Sequence, residues 1–376
     1  MVSMTTDRNA GEASGTATDA QPAGPARRGM LRHLGFRNIG VVYVWLAIIV
    51  VFSIWAPDTF PRWQTVQTVL NQNAIAGLVA LALVVPLSAR VFDLSVGSAL
   101  GLCNVIVAWL LVDQGMPLGL AIALTVGAGF LIGLINGIVV ISGRIDSFIA
   151  TLATGSLMAA ATSLVSNDQA IIGPHLTGGF GKIATSDIGG IATPVWLMLA
   201  VATALWGLLN YTVTGRRIYA TGFNEAGARL TGIRTRRLGF GSLLVSGTVA
   251  GVGGVLLASQ VSSGSPDIGP PYLLDAFAAA FLGATQLGGR FNAWGTVISV
   301  LLLGTGKAGL VLVGAPVWSS SMFTGVVLLI ALLLTNFDKR LDMRGWIAAR
   351  RDSRTAGPTD GTDGGLGAGA AGETVP

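Results

Sequence analysis

Apolar residues run along this chain in long unbroken blocks and do not alternate with polar ones. The blocks lie at 39–56, 73–88, 94–111, 118–141, 148–165, 194–211, 238–261, 272–286, 294–313 and 322–337, with short polar stretches between them. Runs near the roughly 20 residues that cross a hydrocarbon core predict membrane helices, whereas the strands of a membrane barrel would alternate. The pattern therefore predicts an all-α polytopic membrane protein with about ten transmembrane helices. Residues 1–37 are rich in Ala, Gly, Thr and Asp and lack apolar periodicity, so they read as a disordered tail. Residues 38–338 form the membrane domain, and 339–376 read as a second, largely disordered tail. Arg27, Arg28, Arg32 and Arg37 lead into the first block. That block is long enough to span and no small-residue cleavage site follows it, so it reads as an anchor and not a signal peptide.

The longest charged interruption, 214–237, orients the chain. It carries six arginines (Arg216, Arg217, Arg229, Arg234, Arg236 and Arg237) between two apolar blocks, and arginine excess marks a cytoplasmic loop. With that loop inside, Arg90, Arg144, Arg290, Lys339, Arg340 and both termini also fall in the cytoplasm. Asp113 and the stretches 167–193 and 262–271 fall outside, and Arg62 is the exception to the rule. Within the loop, Asn224 is a good N-cap, Glu225 suits the first turn of a helix, and Gly232 is a natural stop. Ala226, Ala228 and Leu230 offer small or apolar contacts, and Glu225 can pair with Arg229 at i,i+4. A two-turn helix on the cytoplasmic face is either a grip for a partner protein or an ordinary topogenic loop.

Composition narrows the class. The chain is 52% hydrophobic and only 11% charged, against about 25% in soluble domains. The net charge of +5 fits topology and contact with membrane lipid, and argues against nucleic acid as a partner. The single cysteine, Cys103, excludes a disulfide or thiolate cluster within one chain and reads as a small core residue. No catalytic motif is present. Gly304-Thr305-Gly306-Lys307-Ala308 faintly echoes a phosphate-binding loop, but Leu301 stands where its first glycine belongs and Ala308 replaces the magnesium-holding hydroxyl. With only His33 and His175, far apart, the chain offers neither a metalloprotease nor a triad pattern. It reads as a non-enzyme that binds no cofactor, so any energy from ATP must come from another subunit.

Several blocks together resemble a known family, the membrane permeases of ribose-type sugar ATP-binding-cassette importers. Gly215-Arg216-Arg217-Ile218-Tyr219-Ala220 and the run Asn224 to Ile233 resemble its pattern GRxIYAxGxNExAARLxGI. Phe92-Asp93-Leu94-Ser95-Val96-Gly97-Ser98 is similar to IDLSVGS, Gly133-Leu134-Ile135-Asn136-Gly137 to GLING, and Ser147-Phe148-Ile149-Ala150-Thr151-Leu152 to PFIATLG. Leu274-Asp275-Ala276 with Ala278-Ala279 resembles ELDAIAA, and Gly288-Gly289-Arg290 resembles GGRG. The resemblance covers about residues 38 to 338. The sequence departs from the family at Ala89 and Arg90, where glycines are usual, and at Lys307, where a neutral amide is common. It implies a multi-pass permease of the bacterial plasma membrane carrying a ribose-, xylose- or galactose-like sugar. It also implies a separate ATPase subunit that hydrolyses ATP, an extracytoplasmic sugar-binding protein, and a second permease chain, identical or related. In that reading Asn224, Glu225, Ala226, Ala228, Arg229, Leu230 and Gly232 form the helix that couples to the ATPase. Permeases for nucleosides or branched-chain amino acids are the nearest alternative. An ion-coupled carrier using Asp275 and Lys307 is a more distant one.

Polar residues within apolar blocks are the candidates for a translocation pathway: Asn73, Asp93, Ser95, Asn136, Thr151, Asp275 and Lys307, with Ser156 and Gln286 as further polar positions. Asp93 either caps the following helix through the N–H groups of Ser95 or Val96, or serves a gate. An unpaired charge mid-span costs on the order of 3 kcal/mol, so Asp275 and Lys307 must face water, headgroups or each other. Lys307 is expected near Asn136 or Thr305. The repeats Gly129, Gly133, Gly137 and Gly247, Gly251 predict close helix approach, either inside the chain or at a dimer face. Ala89-Arg90-Val91-Phe92 echoes Gly289-Arg290-Phe291-Asn292, which hints at two related halves.

Overall fold

The computed structural model describes residues 36–286 and 289–333. The tails at 1–37 and 339–376 lie outside this range, apart from Phe36 and Arg37 at the start of the first helix, as does Gly288. Over the described residues the regular structure is helical, apart from one hairpin of two-residue strands and an isolated bridge between Ile171 and Gly264. Its helices are α1 (Phe36–Trp55), α2 (Trp63–Ser88), α3 (Val96–Val112), α4 (Leu118–Gly137, prolonged by a π turn, Ile138–Ser142) and α5 (Ser147–Ser166). Then come the short α6 (Pro174–Thr177) and α7 (Gly181–Thr185), the hairpin β1 (Asp187–Ile188) and β2 (Ile191–Ala192), and α8 (Thr193–Tyr211). The charged loop holds α9 (Val213–Phe223) and α10 (Glu225–Leu230). The chain continues through α11 (Thr235–Val261), α12 (Pro270–Ala284) and α13 (Ala293–Leu312), and the last helix is α14 (Trp318–Leu333).

Helices form where the ten apolar blocks predict them, but they differ in length. Six, namely α2, α4, α5, α8, α11 and α13, are long and apolar enough to cross a membrane. The apolar stretches Gly40–Trp55 of α1, Val96–Val112 of α3 and Trp318–Leu333 of α14 are shorter, and α12 has 15 residues. Of α2, α11 and α13, 72%, 61% and 61% of the most apolar stretch is buried inside the protein; of α4, α5 and α8, only 22%, 33% and 33% is. Apolar helices that leave most of their surface open suit a lipid environment, so the first set is the interior and the second its rim.

Helix α2 is the core. Every residue from Ala74 to Ser88 is buried, as befits a helix apolar on all sides. It packs against α8, α11, α12 and α13. The apolar block begins at Asn73, whereas the helix begins ten residues earlier at Trp63. Two polar side chains in these first turns find partners. Gln67 Nε2 donates to the Gly190 carbonyl at 2.5 Å, and Asn71 Oδ1 accepts from the Ala192 amide at 3.1 Å. The stretch expected as one long outer loop therefore folds back as α6, α7 and the hairpin. Leu176 and Phe180 are buried there against Val107, Val255 and Ala258.

The glycine repeats are each other's partners. A methyl at Gly133 would stand 2.5 Å from the Leu243 carbonyl, and one at Gly129 would stand 2.6 Å from the Gly247 carbonyl. Helices α4 and α11 thus meet backbone to backbone along Gly129/Gly133 and Gly247/Gly251, so the close approach lies inside the chain.

Candidate coupling surface and polar interior

The charged loop folds into an elbow. Thr212 Oγ1 accepts from the Gly215 amide at 3.0 Å and starts α9; Asn224 ends it and starts α10, with Oδ1 accepting from Gly227 N at 3.0 Å. Glu225 pairs with Arg229 one turn on. Thr235, in the first turn of α11, closes the arrangement: Arg229 Nε donates to Thr235 Oγ1 at 3.0 Å, and that hydroxyl donates to Glu225 Oε1 at 3.2 Å. Gly232 carries the chain between them at φ +80°, where only glycine is unstrained. The cap, pair and stop read from the sequence all form, and Thr235 is the partner that the reading missed.

Side-chain direction divides the predicted contact residues. Asn224, Glu225, Ala226, Arg229 and Leu230 are exposed, whereas Ala228 is 6% exposed and turned into the protein, so it supports α10 and does not contribute to its outer face. Phe223, absent from the predicted set, is 89% exposed, and Leu230 is 90% exposed. A hydrophobic residue just before an N-cap ordinarily packs on the fourth helical residue, here Ala228. That position is buried, so Phe223 stands free. Two large apolar side chains thus flank a polar, well-capped helix.

Helix α9 rests on two tight turns. A methyl at Gly222 would collide with the Ser88 carbonyl at the end of α2. Tyr219 Oη donates to the Phe291 carbonyl at 2.8 Å, and the Arg290 guanidinium carbon lies 4.9 Å from the centre of its ring. Burial pushes the Tyr219 phenol above its ordinary value, and the Arg290 charge pulls it part of the way back. The echoing basic turns after α2 and before α13 therefore both touch α9. They are not superimposable repeats, because the left-handed residue is Arg90 at φ 61° in one and Gly289 at φ 72° in the other. Arg90 stands where the resembling family has glycine, and its left-handed backbone costs roughly 1–2 kcal/mol.

Beyond the first turn, Asp93 is buried at the entry to α3. Its Oδ1 accepts from the Ser95 amide at 3.1 Å and the Ser95 hydroxyl at 2.5 Å; its Oδ2 accepts from Ser246 Oγ of α11 at 2.6 Å. Asn136 of α4 donates to Ser95 Oγ at 2.7 Å, while its own carbonyl oxygen has no hydrogen-bond partner among the described residues. Thr151 Oγ1 accepts from the Leu94 amide at 3.0 Å, and Ser147 Oγ from Phe92 N at 3.0 Å, so α5 clamps the same turn. The expected bond from the Ser95 amide to Asp93 forms, but Ser95, not Asp93, stands at the cap position of α3, and no side chain caps that helix. Ser246, which joins Asp93 to α11, was not singled out; its signal is a hydroxyl beside Gly247 on the glycine-lined face.

Asp275 and Lys307 pair with each other. Lys307 Nζ lies 2.6 Å from each Asp275 carboxylate oxygen, and Thr324 Oγ1 of α14 donates to Oδ1 at 3.3 Å. Asn73 of α2 lines the same small cavity as this pair, about 10 Å³. Lys307 is therefore beside Asn73 and Asp275, not Asn136 or Thr305. Asn136 belongs to the Asp93 cluster, and Thr305 accepts from Trp45 Nε1 at 3.0 Å. The helix-facing register, invisible in the apolar run, sets these neighbours. Among the described residues no group of three or more His, Cys, Asp or Glu side chains is arranged to hold a metal.

Residues 65–332 match the family described as branched-chain amino acid transport system / permease component. Relatives include the ribose import permease protein RbsC of Haemophilus influenzae, 32% identical over 295 residues (78% of this chain and 91% of that protein). The Bacillus subtilis protein of the same name is 36% identical over 288 residues, or 76% of this chain and 89% of that one. The autoinducer 2 import system permease protein LsrD of Photorhabdus temperata is 28% identical over 330 residues, covering 84% and 99%. No solved structure matches the chain.

Proposed function

The chain belongs to the branched-chain amino acid transport system permease family, and on that premise we propose that it forms the translocation pathway for a monosaccharide of the ribose class in an ATP-binding-cassette importer. It is a permease subunit and not an enzyme, a multi-pass protein of the bacterial plasma membrane. The relatives named for ribose import support the sugar class. We read the topology as ten spans with both termini cytoplasmic, the charged elbow inside, and α6, α7 and the hairpin outside. A partner ATPase hydrolyses the ATP, an extracytoplasmic binding protein delivers the sugar, and a second permease chain completes the pathway.

The observation that carries the coupling reading is the exposed pair Phe223 and Leu230 on either side of α10. Large apolar side chains beside a capped, salt-bridged helix suit a cleft on another protein. Movement of α10 passes to α9, and α9 bears on the turns that lead into α3 and α13. Those helices carry the two polar clusters, Asp93 with Ser95 and Asn136, and Lys307 with Asp275 and Asn73. A neutral sugar needs only transient hydrogen-bond partners, which these groups supply. The cavity beside Lys307 is about the size of one water molecule.

The test is co-purification from membranes with the candidate ATPase subunit, comparing the wild type with Leu230→Asp and Glu225→Arg. Loss of the ATPase from variants that still insert supports docking through α10. Retention in both variants leaves the elbow a topogenic loop and ends the coupling reading.

A further inference from the structure

An apolar groove of about 510 Å³ runs between α1, α2 and α13. Trp45, Ile49 and Ser53 line it from α1 at one-turn intervals, Val66 and Leu70 from α2, and Thr305 from α13. Its inner end closes where the Trp45 indole donates to Thr305 Oγ1 at 3.0 Å. Its other end lies beside Arg62 and Trp63, in the turn before α2. From Trp45 to Ser53 the helix rises about 12 Å, and one leaflet of the hydrocarbon core is about 15 Å deep. The groove is therefore as long as most of one leaflet.

The mouth has its own chemistry. Arg62 is exposed, and its guanidinium makes no hydrogen bond or ion pair among the described residues. Asp58, the carboxylate nearest it in sequence, is exposed and does not pair with it. Arg62 is also the arginine that departs from the positive-inside pattern. Trp63, 60% exposed, suits the headgroup layer beside it. A lone cation at the mouth of an apolar slot one leaflet deep complements a molecule with an anionic head and a hydrocarbon tail.

We propose that this groove binds an anionic glycerophospholipid, with one acyl chain lying along Trp45, Ile49 and Val66 and the phosphate against Arg62. The preference for anionic lipid depends neither on the orientation proposed above nor on which sugar is carried.

The test uses the full chain in phosphatidylcholine nanodiscs containing increasing fractions of lipid with brominated acyl chains, which quench tryptophan on contact. The difference between wild type and Trp45→Phe isolates the signal at the groove. Half-quenching by brominated phosphatidylglycerol is expected at a mole fraction about fivefold lower than by brominated phosphatidylcholine, the ratio that corresponds to about 1 kcal/mol for one basic residue near a membrane surface. Arg62→Gln should bring the ratio to about one, and Val66→Trp, which fills the slot from an exposed position, should remove the saturable component while leaving the helix intact. Equal half-quenching by the two lipids in the wild type would overturn the proposal, as would a preference that survives Arg62→Gln. So would the absence of Trp45-dependent quenching by either lipid, which would mean that protein, such as a second copy, covers the groove.

Discussion

Lys307 and Asp275 stand 32 positions apart on different helices, yet the ammonium lies 2.6 Å from both carboxylate oxygens. Each side chain is 25% exposed, so the pair is neither in bulk water nor sealed away. Breaking a fully buried pair costs about 3–5 kcal/mol, because one charge is left without compensation. Partial exposure should reduce that to about 2 kcal/mol for Asp275→Asn, read as a lower midpoint of thermal unfolding in detergent. The double variant Asp275→Asn with Lys307→Gln should recover most of the loss. If the pair lines the pathway, transport stays depressed in that double variant although stability returns; normal transport there would remove both residues from the pathway.

Asp93 has no cationic partner among the described residues and depends on hydroxyls. Leaving a buried acceptor without its hydrogen bond costs about 1–3 kcal/mol. Ser246→Ala should lower stability by that amount. Ser156→Ala, where the hydroxyl is exposed and bonded only within its own helix, should change it by less than about 0.5 kcal/mol. Chemical denaturation of both variants in the same micelle decides the matter, and equal losses would show that the Asp93–Ser246 bond contributes nothing.

Tyr219 ties α9 to the turn before α13. Tyr219→Phe keeps the ring beneath Arg290 and removes only the bond to the Phe291 carbonyl. Removing about 1 kcal/mol of linkage corresponds to about a fivefold change. The expectation is unchanged ATPase activity with sugar uptake per ATP reduced about fivefold, measured in proteoliposomes; a parallel fall in both would indicate general destabilisation. The same residue predicts a pH effect. Its folded-state pKa is raised above the ordinary 10.0, so folding favours the protonated phenol. That contribution is fully present below pH 10.0 and is lost as pH rises through the folded-state value. Tyr219→Phe should therefore flatten the loss of stability on the alkaline side.

Two glycines of α4 should respond in opposite directions. A methyl at Gly133 would meet the Leu243 carbonyl at 2.5 Å, whereas one at Gly127 meets nothing within 4 Å. Gly127→Ala removes backbone freedom from the unfolded chain and should stabilise by up to about 1 kcal/mol. Gly133→Ala forces α4 and α11 apart and should destabilise by more than about 1–3 kcal/mol, the range for overpacking. Thermal midpoints of the two variants compare them directly.

The charged elbow was largely legible because its signals are local. Asn224 as cap, Glu225 with Arg229, and Gly232 as stop are all interactions within about one helical turn, so spacing alone implies them. Exposure was not legible. Ala228 and Leu230 sit two positions apart in similar apolar company, and only the seating of α10 on α11 turns one in and the other out. Phe223 escaped notice for the same reason. In the interior, the polar residues were visible as interruptions of apolar runs, but not their partners. Nothing in the run around Lys307 distinguishes Asp275 and Asn73 from Asn136 as its neighbours.

What the sequence determined by itself is where the long apolar helices form, that they belong in a membrane, and which loop carries the charge. Continuous apolar runs, caps and arginine placement are properties of a few consecutive residues. Tertiary structure decided which faces meet. It set Gly133 against Leu243, brought Ser246 of α11 to Asp93, and placed Tyr219 on the Phe291 carbonyl, 72 positions away. In helices apolar on almost every side, the hydrophobic pattern has no strong direction and cannot choose a face. Close backbone approach at glycine, and the need of each buried polar group for a partner, make that choice when the helices pack.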